Sequence, residues 1–331
     1  MSKILVTGGA GFIGSHLAEF LSLKHEVVAL DNLSGGYKEN VSFNVSLVVG
    51  DITNRILVEK LFDENNFDYV FHLAAYAAEG LSHFIRRYNY ENNVIGSINL
   101  INASIAHDIK RFIFTSSMGV YGTNQVPYDE EMKPAPEDPY GIAKYSIEQD
   151  LSAAKEIFGL DYVVFRPHNV YGSKQNIWDR YRNVVGIFMN QILNDEPMTI
   201  FGDGSQIRAF SHIDDIVPVL AKGIDSQSLS GEILNVGGEQ PIMIKDLAYM
   251  VACVMNKDLK VVYLPPRREV KNAFSQHKKL QKLLGVYPLI DLEEGLKSMA
   301  LWATENYSKR GHKEIFEFEQ FKNIPSKWLK K

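Results

Sequence analysis

The stretch Thr7–Gly14, "TGGAGFIG", directly follows the short apolar run "KILV" and contains the pattern G-x-G-x-x-G at Gly9–Gly14. A short apolar run followed by an amphipathic stretch (Ser15–Leu23) predicts a buried strand that turns into a helix. Glycines at such a turn let the backbone bend sharply and approach a pyrophosphate, whose charge the helix N-terminus stabilises. Glycine-rich strand-helix turns also arise from close packing, so the pattern needs support from the rest of the chain.

The same alternation of strand and helix patterns continues through the first half of the chain. Further β-rich runs are "EVVALD", "VSLVVGD", "YVFHLAA", "RFIFTSS" and "DYVVFRP", and amphipathic stretches such as Asn93–His107 and Tyr140–Phe158 lie between them. Near-continuous apolar strands alternating with helices predict a Rossmann-type, doubly wound parallel α/β sheet. Beyond Asn169 the alternation loosens, which predicts a smaller C-terminal α+β substrate-binding domain. We expect a dinucleotide-binding domain at 1–168, to which about 209–240 returns, and a substrate domain at 169–331.

Composition narrows the function class. The 331 residues are 45% hydrophobic and 23% charged, with a net charge of −5 and no basic patch, so nucleic acid is not an expected partner. Cys253 is the single cysteine, which excludes an intrachain disulfide and is typical of a reducing compartment. Neither a signal peptide nor a membrane-spanning run is recognisable, so we expect a cytoplasmic protein without membrane contacts.

The second β-rich run ends in Asp31, twenty residues after Gly11. A carboxylate at this place can bind the ribose hydroxyls of adenosine, and it repels a 2′-phosphate, which favours NAD over NADP. Asp31 would also serve as a helix cap or a turn residue. Its spacing from the glycine pattern favours the interpretation as an NAD-binding residue.

A second constellation combines hydroxyl residues with a Tyr-Lys pair. The stretch Thr115–Gly122, "TSSMGVYG", follows an apolar run, and "DPYGIAK" follows about twenty residues later. Asp138 and Pro139 predict a helix start, and the spacing i, i+4 places Tyr140 and Lys144 on one helix face. A neighbouring lysine would lower the pKa of the phenol and make it a usable base. Such pairs also occur on exposed helices, but the other two motifs favour a catalytic pair.

Taken together, these motifs resemble a known family. "TGGAGFIG", Asp31, "GDI" at 50–52, "HLAA" at 72–75, "NNVIGS" at 92–97, "TSSMGVYG", "PYGIAK" and "RPHNVYG" stand in the order and spacing of the extended short-chain dehydrogenase/reductases. Within them the chain is similar to the nucleotide-sugar epimerases, of which UDP-glucose 4-epimerase is the familiar member. The resemblance runs from residue 3 to about 285. It implies epimerisation at C4 through a 4-keto sugar, with NAD regenerated in each cycle.

The resemblance also implies a role for each motif residue in the cofactor site. Tyr140 would be the base, Lys144 would hold the nicotinamide ribose, and Ser117 would bind the sugar hydroxyl. The remaining cofactor residues are Gly8, Gly11, Phe12 and Ile13 along the pyrophosphate, Asp31 and Asn32 at the adenosine ribose, Asp51 and Ile52 beside the adenine, Leu73, Ala74 and Ala75 under the cofactor, and Asn92 or Asn93 as support of the central helix.

The nucleotide-sugar site implied by the resemblance lies mostly in the second half. Arg208 resembles a diphosphate-binding arginine, although a surface ion pair is the alternative. A second arginine is expected at Arg267 or Arg268, because the chain is one residue shorter here than the family pattern. The other expected contacts are Asn169 at the diphosphate, Asn183, Thr199 and Phe201 on the nucleotide side, and His168, which would bind sugar or cofactor or merely pack.

The reaction type depends on the residues that follow Ser117. The 4,6-dehydratases of this superfamily carry an Asp-Glu pair there, and the UDP-glucuronate decarboxylases carry a Glu two positions after the hydroxyl. This chain has Met118 and Gly119, neither of which can exchange a proton. Epimerisation is therefore favoured over a dehydratase or decarboxylase that uses other residues. A protein that binds NAD or a nucleotide sugar without turnover is disfavoured by the complete set of Ser117, Tyr140 and Lys144.

The sequence does not identify the sugar of the substrate. UDP is the expected nucleotide, but glucose, an N-acetylhexosamine and a uronic acid all remain candidates. Arg86 and Arg87, in the divergent stretch "YAAEGLSHFIRRYNYE", would suit a sugar carboxylate, although adjacent arginines usually face solvent. The small Ala273 would leave room for a bulky substituent. The resemblance implies a homodimer, NAD as the cofactor and no metal site.

Overall fold

The computed structural model describes residues 1–224, 226–267, 269–285, 289–309, 311 and 316–329. The strands, numbered in chain order, are β1 Lys3–Thr7, β2 Glu26–Asp31, β3 Ser46–Val49, β4 Tyr69–His72, β5 Arg111–Thr115, β6 Tyr162–Pro167, β7 Val170–Tyr171, β8 Met198–Phe201, β9 Ile207–Ala209, β10 Ser211–His212, β11 Ile233–Val236, β12 Pro241–Met243, β13 Val261–Leu264 and β14 Asn272–Ala273. The α-helices are α1 Phe12–Ser22, α2 Arg55–Asp63, α3 Glu79–Ser82, α4 Arg86–Tyr90, α5 Gly96–Ala106, α6 Pro139–Phe158, α7 Val184–Leu193, α8 Ile213–Ala221, α9 Ile244–Val254, α10 Lys278–Leu284, α11 Leu292–Asn306 and α12 Ser326–Leu329.

A parallel sheet organises the first part of the chain. Within the described residues its seven strands follow the order β3-β2-β1-β4-β5-β6-β11. Strand order reverses at β1, because the chain builds β2 and β3 on one side of it and then crosses to β4 on the other. Ligands of doubly wound sheets bind outside the carboxyl ends of the strands at such a point. The predicted Rossmann-type fold is confirmed.

The side chains of β1 alternate between two apolar cores, one on each face of the sheet. Ile4 and Val6 pack in a core with α1 and α8 residues such as Leu17 and Leu220. Leu5 points to the opposite face and packs in a second core with residues of α2, α5 and α6. Successive side chains of a strand face opposite sides of the sheet, so an uninterrupted apolar run is what a sheet covered twice requires.

The chain beyond Asn169 divides its elements between two regions. Strand β11 pairs with β6 at the edge of the large sheet, and α8 packs beside α1 in the same core. Strand β8 pairs with β13, and β9 pairs with β12 and β14, around a core shared by α7, α9 and α11. This arrangement has the predicted α+β character, and it lies after the strand that ends in Pro167.

Helix α6 begins where the sequence predicted. Asp138 is its N-cap and accepts a hydrogen bond from the backbone N–H of Gly141 at 3.0 Å, and Pro139 occupies the first turn. The helix ends at Gly159, whose φ of +76° is a left-handed conformation that favours glycine. At 20 residues α6 is long, but it carries several charged side chains. Across the described residues, none of the helices combines the length and the apolar character needed to span a bilayer.

Candidate active site

A cavity of about 520 Å³ lies at the carboxyl ends of the strands, in the size range of ligand clefts. It brings together residues from both halves of the chain. The predicted site residues that line it are Gly8, Gly11, Phe12, Ile13, Asp31, Asn32, Ile52, Leu73, Ala74, Ala75, Asn92, Ser117, Tyr140, Lys144, Asn169, Asn183, Thr199, Phe201, Arg208 and Arg267. Arg268 lies outside the described residues.

The glycine-rich turn has the shape that a dinucleotide needs. Gly8 has a φ of +70°, and a Cβ there would lie 2.8 Å from the backbone nitrogen of Ala74. A Cβ on Gly14 would lie 2.1 Å from the carbonyl oxygen of Gly8. Among the described residues no side chain caps α1 at Gly11, and its first turn carries no acidic residue. The free backbone N–H groups of this helix start therefore face the cavity, where they can bind a pyrophosphate.

Asp31 organises this turn as well as lining the cavity. One carboxylate oxygen accepts a hydrogen bond from the N–H of Ala10 at 3.0 Å, and the other accepts one from Leu33 at 2.7 Å. Burial raises the pKa of this carboxyl, and the backbone hydrogen bonds oppose that rise. Each carboxylate oxygen has two lone pairs, so both can still accept a ribose hydroxyl. The residues at this end of the cavity fit the adenosine half of NAD.

The predicted adenine contact of Asp51 stays a prediction, because its carboxylate already serves neighbouring residues. Asp51 does not line the cavity, because its oxygens accept hydrogen bonds from the Asn32 amide at 2.8 Å and from the backbone and hydroxyl of Thr53. Asp51 orients Asn32 and leaves Ile52 as the cavity residue. At the neighbouring position, Asn92 lines the cavity. Asn93 is instead buried and bonds the backbone of Tyr76.

The three hydroxyl residues at the end of β5 have different functions. The backbone carbonyl of Thr115 accepts a hydrogen bond from Lys144 Nζ at 2.8 Å. The Ser116 hydroxyl points behind the sheet and donates to Glu148 at 2.5 Å. The Ser117 hydroxyl accepts from the N–H of Gly119 at 3.0 Å and faces the cavity beside Tyr140. All three residues line the cavity, but the Ser116 hydroxyl is engaged with Glu148, whereas the Ser117 hydroxyl lies beside Tyr140.

In the protein without ligands, groups other than Lys144 dominate the pKa of Tyr140. The pKa of Tyr140 is raised by burial and by the charge of Glu79, while a hydrogen bond with Ser117 opposes the rise. The Lys144 ammonium group is bonded to the carbonyl of Thr115 and lies 5.9 Å from the Tyr140 ring centre. Burial lowers the pKa of Lys144 itself to about 7. A positive charge that arrives with the cofactor is therefore needed to favour the phenolate.

The buried Lys144 should make stability depend on pH. Its pKa is about 7 in the folded chain against an ordinary value of 10.5, so the unfolded chain binds more protons between these values. The free energy of unfolding should rise from pH 7 towards pH 10 by up to about 1.4 kcal/mol per pH unit. Below pH 7 the folded chain carries the full free-energy cost of burying the charged Lys144 ammonium group. Urea denaturation of Lys144→Met should show a flatter pH dependence, and the surface control Lys60→Met should follow the wild type. Parallel curves for Lys144→Met and wild type would contradict this assignment.

A buried polar network supports Ser116 from behind the sheet. Arg166 and Glu148 are 2% and 1% exposed and form a bidentate pair with distances of 2.9 and 2.5 Å. Arg166 also donates to the Tyr121 hydroxyl at 2.7 Å, and Tyr121 donates to Asn235 at 2.8 Å. The network joins β5, α6, β6 and β11 directly below the strand ends. It holds the segment that carries Ser117 in one position.

Two guanidinium groups line the far end of the cavity. Arg208 donates to the backbone carbonyls of Val270 and Lys271 at 2.6 and 2.9 Å, so backbone carbonyls and not a carboxylate hold it. Arg267 lies over the ring of Phe201, 4.6 Å from its centre, and pairs with Glu269 at 2.9 Å. Arginine forks in such a place suit a diphosphate.

The other predicted substrate-binding residues also form contacts within the protein. Asn183 caps α7 through the N–H of Val185 and donates to the carbonyl of Val170. Thr199 and Asn169 line the cavity, and each makes a side-chain hydrogen bond within the protein. His168 does not line the main cavity. It stacks on His277 with ring centres 5.4 Å apart, and burial lowers its pKa to about 4. Because it also borders a smaller recess beside Ser117, a contact with the sugar stays a prediction.

Arg86 and Arg87 are not part of the cavity. Both are exposed on α4, and Arg87 pairs with Glu91 at 2.7 Å on the same helix. The alternative in which they bind a sugar carboxylate is therefore wrong, since residues that start a surface helix turn their long side chains to solvent. Ala273 borders a smaller recess of about 90 Å³ beside Ser117.

Sequence reasoning missed residues that other segments contribute. Arg182 pairs with Asp179 at 2.8 Å and lies over the Tyr76 ring, 4.9 Å from its centre. Trp328, in the C-terminal segment, packs against Tyr181 with ring centres 5.3 Å apart and lines the cavity. Glu79 lies in the cavity next to Ser117. The divergent loop was visible in the sequence, but nothing there showed which of its side chains turns inward.

Comparisons with known proteins agree with this geometry. The model of the NAD dependent epimerase/dehydratase family matches residues 4–237. The chain is similar to the UDP-glucose 4-epimerase of Thermotoga maritima solved with UDP-glucose, with 36% identity, 92% of this chain and 99% of that one covered and a TM-score of 0.87. It is also similar to the UDP-N-acetylglucosamine 4-epimerase of Methanobrevibacter ruminantium M1, with 32% identity, coverage of 92% and 99% and a TM-score of 0.85.

A curated relative adds a third sugar. The UDP-glucuronate 4-epimerase of Thermodesulfobacterium geofontis is 31% identical over 320 residues, which cover 92% of this chain and 97% of the relative. These relatives share an epimerase name and differ in the sugar, so the likeness identifies a family and not a sugar. The glycine-rich turn, the Ser-Tyr-Lys cluster and the match over most of the chain lead to one conclusion: this chain belongs to the NAD-dependent epimerase/dehydratase family.

Proposed function

We propose that this protein is an NAD-dependent nucleotide-sugar epimerase that inverts C4 of a UDP-hexose through a 4-keto intermediate. The observation that carries the proposal is that Ser117, Tyr140 and Lys144 line the same cavity as the glycine-rich turn and the predicted diphosphate arginines Arg208 and Arg267. A dinucleotide and a nucleotide sugar would thus meet at the Tyr140 hydroxyl.

The cofactor would be held by residues whose shape already suits it. The turn at Gly8 and Gly11 and the start of α1 would hold the pyrophosphate, Asp31 the adenosine ribose, and Lys144 the nicotinamide ribose. When bound, NAD would supply a reversible hydride acceptor for sugar C4 and a positive charge close to the Tyr140 phenol.

The protein's own residues handle the proton and the orientation. The Tyr140 phenolate takes the proton of the C4 hydroxyl as that carbon is oxidised, and gives it back as the carbonyl is reduced. Ser117 binds the same oxygen and keeps it beside Tyr140. Arg208 and Arg267 hold the diphosphate while the sugar turns over between the two half-reactions. Proton transfer by a positioned side chain contributes about 10²–10⁴-fold to such a rate.

NAD should bind at least about tenfold more tightly than NADP, a difference of about 1.4 kcal/mol. A 2′-phosphate would lie against the buried Asp31 carboxylate, which repels it. Calorimetric titration of the protein with each dinucleotide measures the ratio. Asp51→Asn, outside the cavity, is the control and should keep the preference. Equal affinity for both dinucleotides would contradict the placement of the ribose at Asp31.

The direct test is turnover of a panel of nucleotide sugars. Purified protein with NAD is incubated with UDP-glucose, UDP-N-acetylglucosamine and UDP-glucuronate, and proton NMR identifies the products. The expected result is a C4 epimer of at least one sugar. A dehydrated or decarboxylated product would assign the protein to the alternative reactions of the same superfamily. Tight binding of all three sugars without any product would indicate a non-catalytic binding protein.

We further propose a cytoplasmic homodimer. The α6 helix leaves Ile142, Ile157 and Phe158 exposed, and Ile95 is exposed on the neighbouring turn, as a helical interface would require. Light scattering after size-exclusion chromatography should give twice the mass of the 37.4 kDa chain, and a monomer mass would contradict the proposal. Within each protomer, 1–168 with about 209–240 would hold NAD, and the rest of 169–331 would hold the nucleotide sugar.

A further inference from the structure

The Glu79 carboxyl group occupies the side-chain space that Gly119 leaves empty. Glu79 begins α3, and its Oε1 atom lies 2.8 Å from the point that a Cβ on Gly119 would take. The Ser117 hydroxyl oxygen lies 3.4 Å from the same point. Here the glycine makes room for a carboxyl group that comes from another segment.

The surroundings of Glu79 keep this carboxyl available for proton exchange. Glu79, Asp138, Arg208 and Ala273 border the recess beside Ser117. The Glu79 side chain is accessible from the cavity, and within the described residues no hydrogen bond to its carboxyl is formed. Desolvation by the surrounding protein and the charge of Asp138 raise the pKa of Glu79 to about 7. The charges of Arg208 and Arg267 oppose this rise. Both protonation states are therefore populated near neutral pH.

We propose that Glu79 is a second proton-exchanging residue of this site, which acts on a C–H bond next to C4 once the sugar carries the 4-keto group. The inference rests on the proposed function, because only that reaction produces the ketone. The position of Glu79 also corrects the expectation, drawn from Met118 and Gly119, that no acid lies beside Ser117. The acid is present, but it is contributed by α3 and not by the residues after β5.

The step is balanced without any further reactant. A ketone at C4 acidifies the hydrogens on C3 and C5, and the Glu79 carboxylate takes one of them as a proton. The electrons of that C–H bond form the C=C bond of an enolate, and the carbonyl π electrons move onto O4. Return of a proton from Glu79 restores the ketone, and return to the opposite face would invert that carbon. Because the carboxyl exchanges with water in the cavity, the returning proton carries the isotope of the solvent.

The experiment is turnover in D₂O with the full chain, NAD and the panel sugar that is epimerised. Proton NMR and mass spectrometry of the product measure deuterium at C3 and C5. The expected result is deuterium at one of these carbons in the wild type. In Glu79→Gln the ratio of exchange to C4 epimerisation should fall about 100-fold or more. Glu137→Gln, a carboxyl on the same recess, is the matched control and should keep the wild-type ratio.

Each outcome separates the inference from the proposed function. C4 epimerisation without deuterium at C3 or C5 overturns the inference and leaves the proposed function standing. An unchanged ratio in Glu79→Gln also overturns it. Exchange that stops in Tyr140→Phe supports it, since that variant cannot form the ketone. Absence of both epimer and exchange for every sugar of the panel overturns the proposed function and the inference together.

Discussion

Tyr140→Phe should lower kcat by about 1,000-fold, within the range that a positioned general base contributes. The change removes one oxygen from a buried ring that lines the cavity, so the fold and the shape of the site should persist. Without the phenol oxygen, the C4 hydroxyl loses the base that lies beside it. Steady-state kinetics with the epimerised UDP-sugar measures the loss.

The variant also has a matched control on the same helix. Tyr145 lies on α6 but packs in the core around Tyr128, so Tyr145→Phe should stay within a few-fold of wild type. Calorimetry should show that Tyr140→Phe still binds NAD and the nucleotide sugar. Activity near the wild-type level in Tyr140→Phe would remove this residue from the mechanism, and loss of binding would show that its role is structural.

Arg166→Met should lower the free energy of unfolding by about 3–5 kcal/mol, because it leaves the buried Glu148 charge without its partner. Both side chains are almost fully buried, and neither can reach water when the pair is broken. The double variant Arg166→Met with Glu148→Leu should be less unstable than the sum of the single variants, since no uncompensated charge remains. Urea denaturation of the wild type, both single variants and the double variant completes the cycle.

The exposed pair Arg55 and Glu59 on α2 is the control for this cycle. Its side chains are 74% and 52% exposed, so Arg55→Met should change stability by less than about 1 kcal/mol. Equal effects of Arg166→Met and Arg55→Met would contradict the structural role of the buried network. The network also positions the Ser116–Ser117 segment, so kcat should fall in Arg166→Met even where the protein remains folded.

Much of the cofactor end was predictable because its signals are local. A glycine-rich turn, an acid at the end of the next strand, and a cap followed by proline each act within a few residues of the element that they position. The carboxyl ends of parallel strands meet at one edge of the sheet. Gly8, Asp31, Ser117 and Tyr140 were therefore expected to share a site, and they line one cavity.

Predictions that required a side-chain direction were less reliable. Spacing placed Lys144 on the face of Tyr140, but the Thr115 carbonyl competes for its ammonium group and burial changes its pKa. Asp51 follows its motif, yet Asn32 and Thr53 occupy its oxygens. Local pattern does not tell which of several nearby partners a polar side chain chooses, because that choice depends on packing and loss of water.

The sequence by itself determined the strand and helix order, the parallel sheet, the cofactor turn and the Ser-Tyr-Lys set. These features follow from periodicity, capping and glycine requirements, which are properties of short segments. The sequence showed Met118 and Gly119 after Ser117 and hence no acid from that strand. Only the tertiary structure decided that Glu79, forty residues earlier, fills the space of the missing side chain, and that Trp328 lines the cavity. Such contacts join segments far apart in the chain, and their geometry follows from how whole elements pack against one another.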